Sequence, residues 1–341
     1  MRPFEYSSPT TAQQVPALLG KSWGEVEILA GGSDLLSLMK DEVTTPKRLV
    51  NIKQVAGLHA IANEAGALQL GTLVTLDRIG GAQQIQRQHP MLAAAAADAA
   101  SPQIRNVATI GGNLCQRPRC WYFRSGYGLL AQKDGKSYVL EGDNRYHAIL
   151  GNEGPAYFVS PSTIAPVLIA YNAKVRIAGP RGSRDLALEK FFVVPKTDQE
   201  REHALQPDEF ITHVIVPAAP GVRAARYEVR QKEAFDWPYA TAAVALTMNG
   251  STVKSARVVM GHVAPVPWIS AEAAQALQGK AITPATADQA AQAAVAKAKS
   301  LGHNTQKIQL ARVAVKRAIL AAAGAPAHAA IERNGTQGGA A

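Results

Sequence analysis

Two segments of the chain join adjacent glycines to short polar side chains. They are Leu29-Ala30-Gly31-Gly32-Ser33-Asp34-Leu35 and Thr109-Ile110-Gly111-Gly112-Asn113-Leu114. Adjacent glycines let several backbone N–H groups point into one concavity, which suits a diphosphate. The first segment also opens a helix, whose N-terminus favours an anion. Ser33, Asp34, Thr109 and Asn113 would add side-chain hydrogen bonds. Neither segment follows the Gly-x-Gly-x-x-Gly or the Gly-x-x-x-x-Gly-Lys-Ser/Thr pattern, so a Rossmann domain and a P-loop NTPase are disfavoured. Either one alone also reads as an ordinary tight turn. Two of them, about 80 residues apart, point to a two-loop grip on one long phosphate-bearing cofactor.

The remaining chemistry-bearing residues carry weaker patterns. Cys115 and Cys120 are the only cysteines, too few for a Cys-only zinc or iron–sulfur site. His147, His203, His213 and His262 have no metal-ligand spacing with a neighbour. Asp143-Asn144 reads as turn chemistry, and Glu233 and Asp236, flanking Phe235, as a solvated strand end. Trp121, Tyr122 and Phe123 cannot share one face, so a role in the loop core or toward a partner is expected. No Gly-x-Ser-x-Gly elbow supports a serine hydrolase.

These residues need a scaffold, and 341 residues with 47% hydrophobic and 18% charged side chains provide one. Apolar runs at Val26–Leu29 and Arg48–Ile52, with a helix after Asp34, make a β–loop–α–β unit over residues 1–57. Strands at Leu68–Gly71, Ala173–Ala178 and Phe210–Val216, a turn capped by Thr75, and helices at His89–Ala100 and Ser162–Tyr171 fill residues 58–220. Val107–Leu114 reads as an apolar loop around its double glycine, and residues 115–156 as an irregular insertion. Three alternating strands, Arg223–Lys232, Ala240–Met248 and Thr252–His262, then helices at Ser270–Leu277, Pro284–Ser300 and Gln306–Ala323, predict an α+β domain over 221–324. A disordered tail is expected over 325–341.

The net charge of +10 is scattered, with a local concentration at Arg105, Arg117, Arg119 and Arg124. An acidic partner or a phosphorylated ligand fits this better than nucleic acid. No run spans a bilayer, and Met1-Arg2-Pro3-Phe4-Glu5-Tyr6 has no apolar signal core.

The first glycine segment, continued as Leu36-Ser37-Leu38-Met39-Lys40, resembles the first FAD loop of the flavin subunits of molybdenum hydroxylases, relatives of xanthine dehydrogenase and carbon monoxide dehydrogenase. Ser101-Pro102-Gln103-Ile104-Arg105-Asn106, running into the second glycine segment, resembles their second loop. Cys120-Trp121-Tyr122-Phe123-Arg124 and Asp143-Asn144-Arg145-Tyr146-His147-Ala148-Ile149 resemble the subgroup of periplasmic-type aldehyde oxidoreductases and hydroxybenzoyl-CoA reductase relatives. The likeness covers about residues 1–325.

What the resemblance implies is an α+β protein. Two subdomains of the vanillyl-alcohol-oxidase (PCMH) FAD-binding type precede a C-terminal domain with a three-stranded antiparallel sheet and helices. Leu29 to Leu35 and Thr109, Gly111, Gly112 and Asn113 would hold the FAD diphosphate and adjoining groups. Ser101 and Arg105 would lie toward the flavin, with Lys232 approaching its ring from the third domain. No side chain is required as a catalytic group, because the flavin reacts. Electrons would arrive from [2Fe-2S] clusters on a small subunit, after oxidation of an aldehyde or N-heteroaromatic compound on a large molybdenum-cofactor subunit. Oxygen, a quinone, a soluble carrier or NAD would accept them. Rival readings are a stand-alone flavoprotein oxidase and a structural subunit without FAD. Location is either cytoplasmic or periplasmic, by export with a twin-arginine-signal partner.

Two departures from the pattern stand out. Subgroup members carry a [4Fe-4S] cluster in the insertion, which normally needs four thiolates. Only Cys120 remains at a matching position, Cys115 replaces an apolar residue, and even His147 as a third ligand leaves the set short. Loss of the cluster is therefore expected, with no metal bound. Thr163 stands where the family has Asp, which exchanges a charged hydrogen bond to FAD for a neutral one worth about 1–2 kcal/mol less.

Overall fold

The computed structural model describes residues 1–232 and 235–324, so Glu233 and the tail over 325–341 lie outside the described residues. Three short strands build the first sheet in the order Glu5–Ser7, Arg48–Asn51, Val26–Leu29, all parallel. Parallel neighbours need a crossover. The helix Leu35–Lys40 provides it, burying Leu38 and Met39. The first glycine segment is the loop between strand and helix, at the carboxyl end of a parallel strand, where such units present ligand loops.

A second, antiparallel sheet draws on distant stretches, ordered Ile61–Glu64, Ala67–Gly71, Phe210–Pro217, Lys174–Gly179, Gly182–Ala187. The helix expected over His89–Ala100 covers Pro90–Asp98, and that over Ser162–Tyr171 shortens to Ala165–Ala170. The latter's first turn begins after Ile164 and carries Pro166, and ahead of it the Ser162 Oγ accepts the Ala165 N–H at 3.0 Å. Val107–Leu114 differs from its sequence reading. Two helical turns, Pro102–Val107 and Ile110–Cys115, replace the apolar loop. Each has its own cap, Ser101 Oγ accepting from Ile104 N–H and Thr109 Oγ1 from Gly112 N–H, at 3.3 and 3.2 Å.

In the C-terminal part, Arg223–Val229, Ala240–Asn249 and Thr252–Gly261 form the expected antiparallel meander, and Trp268–Ile269 adds a fourth, two-residue strand. Side-chain alternation divides the central strand between two cores. Ala240, Ala242, Val244 and Leu246 pack with the helices Ala271–Leu277, Pro284–Ala294 and Thr305–Ala322. Ala243 and Ala245 join the core of the second sheet, with Leu92 and Leu168. Among the described residues no helix is long and apolar enough to cross a membrane.

The insertion, although aperiodic, is bolted down by buried polar groups. Asn144 Nδ2 donates to the Val139 and Leu301 carbonyls at 3.1 and 2.8 Å, and its Oδ1 accepts the His303 N–H at 2.9 Å. Lys307, 1% exposed, donates from Nζ to the carbonyls of Tyr146 and His147 at 2.7 and 2.9 Å. Burial pulls its pKa from 10.5 to about 7. Lys307→Met is expected to destabilise the fold by about 1–3 kcal/mol, because the Tyr146 carbonyl loses its donor. The pH dependence has a definite sign. Between pH 7 and 10.5 the unfolded chain holds a proton that the folded chain does not, so native stability rises with pH across that window. The variant lacks this term, and urea unfolding should show its deficit growing from about pH 7 to pH 9.

Candidate cofactor site

The two glycine segments meet back to back. A Cβ added to Gly31 would lie 1.9 Å from the Val107 carbonyl oxygen, just ahead of the second segment. Gly111 backs onto Thr72 in the same way, 1.8 Å from Oγ1. Gly32 has φ +73, a left-handed conformation that favours glycine. The loops are not equivalent as donors. In the second, Ile110 N–H donates to the Val74 carbonyl, Gly111 N–H to that of Thr72 and Asn113 N–H to that of Thr109, at 2.8–3.0 Å. In the first, the N–H groups of Gly32, Ser33, Asp34 and Leu35 meet no acceptor among the described residues. Free backbone donors therefore sit on the first loop, and the second serves as its backing.

Both loops border a cavity of about 740 Å³, within the size range of small-molecule and cofactor sites. Its far wall joins Arg117 and His203 to Trp23, Glu27 and Arg201, which the sequence reading did not single out. Arg201 contacts Glu27 at 2.5 Å and lies over the Trp23 ring, 4.9 Å from its centroid. Arg117 Nε donates to Glu202 Oε1 at 2.9 Å. Burial pushes Glu27 up to about 7, with Arg117 opposing the shift and Asp34 adding to it. Burial also lowers His203 to about 4. Such residues come from three separate stretches, 23–27, 117 and 201–203, so no local spacing could have grouped them.

A glycine-backed loop with free N–H groups, opening on a cofactor-sized cavity, is the arrangement of a nucleotide-cofactor protein. Residues 2–219 match the family model of the FAD binding domain in molybdopterin dehydrogenase, and residues 225–322 that of the CO dehydrogenase flavoprotein C-terminal domain. The chain belongs to this FAD-binding family. It is 32% identical over 284 residues to the aldehyde oxidoreductase FAD-binding subunit of Escherichia coli (strain K12), covering 82% of this chain and 87% of that one. With the carbon monoxide dehydrogenase medium chain of Hydrogenophaga pseudoflava it shares 28% identity over 323 residues, 94% and 96% of the two chains. The solved carbon monoxide dehydrogenase from Hydrogenophaga pseudoflava superposes with a TM-score of 0.75, at 28% identity over 95% of this chain and 99% of that one. Quinoline 2-oxidoreductase from Pseudomonas putida 86 gives 0.74, at 25% identity over 95% and 98%.

The residues of this FAD-binding domain fit the diphosphate at the first loop: bare glycine Cα atoms, unpaired N–H groups and room beside them. Ala30, Gly31, Gly32, Ser33, Asp34, Leu35, Thr109 and Gly112 line the cavity. Asp34 does so with its carboxylate already engaged. Arg117 N–H donates to its Oδ2 at 2.8 Å, and Arg124 and Arg119 reach Oδ1 at 2.7 and 3.1 Å. Its side chain thus ties the first glycine loop to the insertion. Leu29 is buried in a small core with Met39 and Leu49.

Ser101 and Arg105, expected toward the flavin, lie outside the cavity lining and act in their own turn. Ser101 caps it, and Arg105 NH1 donates to the Ala99 and Ala100 carbonyls at 2.9 and 3.2 Å. Gly111 is buried against Thr72. Asn113 Oδ1 accepts from Ser162 Oγ at 2.7 Å, which sets half-buried Thr163 beside the second loop. Lys232 is exposed on the third domain.

Cys115 is wedged at the core edge, and burial pushes its thiol up to about 12. The Cys120 Sγ lies 3.1 Å from His147 Nε2, a pairing across 27 positions. Burial lowers His147 and His262 to about 4 each. Asp143 Oδ1 accepts the Arg145 N–H at 3.1 Å, the turn chemistry that the sequence predicts. Phe123 packs with Leu38 in a core under the insertion, the loop-core role expected for one of the three aromatics.

Proposed function

We propose that this chain is the FAD-binding electron-transfer subunit of a heteromeric molybdenum hydroxylase. Its partners are a large molybdenum-cofactor subunit, where an aldehyde or N-heteroaromatic substrate is oxidised, and a small [2Fe-2S] subunit that delivers electrons. The observation that carries this is the first loop, whose unpaired N–H groups border the 740 Å³ cavity. Membership of the family and the medium-chain relatives support it. Bound FAD supplies the two-electron and one-electron chemistry, and the protein binds and orients it. Gly32 to Leu35 would hold the diphosphate through their N–H groups. Arg119 and Arg124 neutralise Asp34, so that the carboxylate does not repel that dianion. The Thr109 turn sets the wall against which the first loop is pressed. The chain holds two cysteines, and Cys120 faces His147 rather than another thiol, so its own [4Fe-4S] centre is read as lost.

Absorption spectroscopy of the purified chain, with iron and sulfide assays on the same sample, tests both parts. Flavin bands at about 370 and 450 nm, with FAD released on denaturation and no iron, are the expected result. About four irons per chain would overturn cluster loss. A folded chain without flavin would overturn the cofactor assignment and favour a structural subunit.

A further inference from the structure

A second cavity, of about 300 Å³, shares no lining residue with the cofactor cavity. Its walls are flat and aromatic, from two parts of the chain. Trp121 and Tyr146 come from the insertion, with ring centroids 5.4 Å apart and edge to face. Tyr239 and Trp237 come from the C-terminal domain. Tyr239 lies 5.1 Å from Tyr146 at 32°, and the Arg119 guanidinium covers Trp237 at 4.7 Å. Buried Phe158, 2% exposed, closes the bottom. Trp237 and Tyr146 are 44% and 39% exposed at the rim. Large aromatics left in water beside a cavity mark a surface made for a ligand.

The polar groups narrow the class of ligand. The Tyr146 and Tyr239 hydroxyls are 3.5 Å apart and 3.4 and 3.3 Å from Gln231 Oε1. These are long contacts, readily exchanged for a carbonyl oxygen of a ligand. Hydrogen bonding to Tyr146 raises Tyr239 to about 12, so its phenol stays a donor. An anionic ligand is disfavoured, because Asp236 lies in the lining and Arg119 turns its NH2 to Asp34 and Gln116, with its Nε buried away from the cavity opening. The volume sits at the low end for small-molecule sites, room for one or two rings and too little for a dinucleotide. Arg119 also joins this wall to the first FAD loop, through Asp34 at 3.1 Å.

We propose that this cavity binds a planar, uncharged aromatic dicarbonyl of one or two rings, a quinone, and that the electron acceptor of the complex docks there. The acceptor role rests on the cofactor assignment above. A quinone reduced there takes up two electrons, originating in the substrate oxidised on the molybdenum subunit, and two protons from water at the open rim, to give the hydroquinone.

Calorimetric titration of the purified, flavin-loaded chain with menadione tests this. One saturable site is expected, weakened about tenfold in Trp237→Ala with flavin content unchanged. Tyr239→Phe should weaken it less, since only a donor is lost. Equal affinity in Trp237→Ala, or uptake of menadione only after flavin is stripped, would overturn the proposal. In the second case the cavity would be part of the flavin site. A chain purified without flavin would count against the cofactor assignment and with it the acceptor role. A flavin-loaded chain blind to menadione overturns the present proposal alone.

Discussion

Gly31→Ala is expected to strip the protein of its flavin and to destabilise it by about 3 kcal/mol. The added Cβ would stand 1.9 Å from the Val107 carbonyl oxygen and 2.8 Å from its carbon, both backbone atoms. No rotamer change relieves such a clash. Val107 cannot retreat without cost either, because the turn it closes is held by the Ala108 N–H to Ile104 carbonyl bond at 2.7 Å and by the Ser101 cap. The first loop must therefore lift away from its backing, and its N–H groups lose their common direction. Gly111→Ala should be milder, since its nearest atom, Thr72 Oγ1, belongs to a side chain that can rotate. Gly81→Ala is the control, with nothing within 4 Å of the new methyl, and should be neutral. The ratio of flavin to protein absorbance after desalting, with urea midpoints, reads all three. A Gly31→Ala chain with full flavin and an unshifted midpoint would show that the two loops are not in rigid register.

Much of this site was legible because its signals are local. Val26–Leu29, the double glycine and the helix from Leu35 follow one another within 15 residues, and propensity and spacing suffice to read them. The C-terminal meander was equally plain, since period-two alternation along Ala240–Asn249 survives even where both faces are buried. What stayed hidden depends on capping and on distance. The double glycine at Gly111-Gly112 looks like a helix breaker, yet Thr109 caps a turn through it, and packing against Thr72 outweighs the poor propensity. Trp23, Arg117 and Arg201 share one wall only because the insertion and the 198–209 segment fold onto the first sheet. Strand-free, polar sequence gives no period from which to infer that packing.

Asp34 lines the cavity with its carboxylate already bonded to the insertion, so it has two candidate roles, and one substitution separates them. Were its carboxylate there to meet the cofactor, Asp34→Ala would weaken FAD binding and leave the flavin-free protein as stable as before. The geometry demands more. Removing this carboxylate deprives the Arg117 N–H of its acceptor and leaves Arg119 and Arg124, with side chains 31% and 18% exposed, without their shared anion. Breaking one partner out of a buried charge cluster typically costs about 3–5 kcal/mol, and partial exposure puts this case near the lower figure. Asp34→Ala is therefore expected to destabilise the flavin-free chain by about 3 kcal/mol as well as to lower flavin retention. Asp34→Asn keeps one acceptor oxygen for Arg117 N–H and should lose less. Calorimetric melting of the flavin-free proteins gives the first number, and a double-mutant cycle with Arg124→Ala gives the coupling. A coupling of about 1 kcal/mol or more is expected for groups 2.7 Å apart. A cycle that closes to zero, with unchanged melting of flavin-free Asp34→Ala, would return Asp34 to the role its sequence position suggests. The insertion would then have no mechanical hold on the first glycine loop.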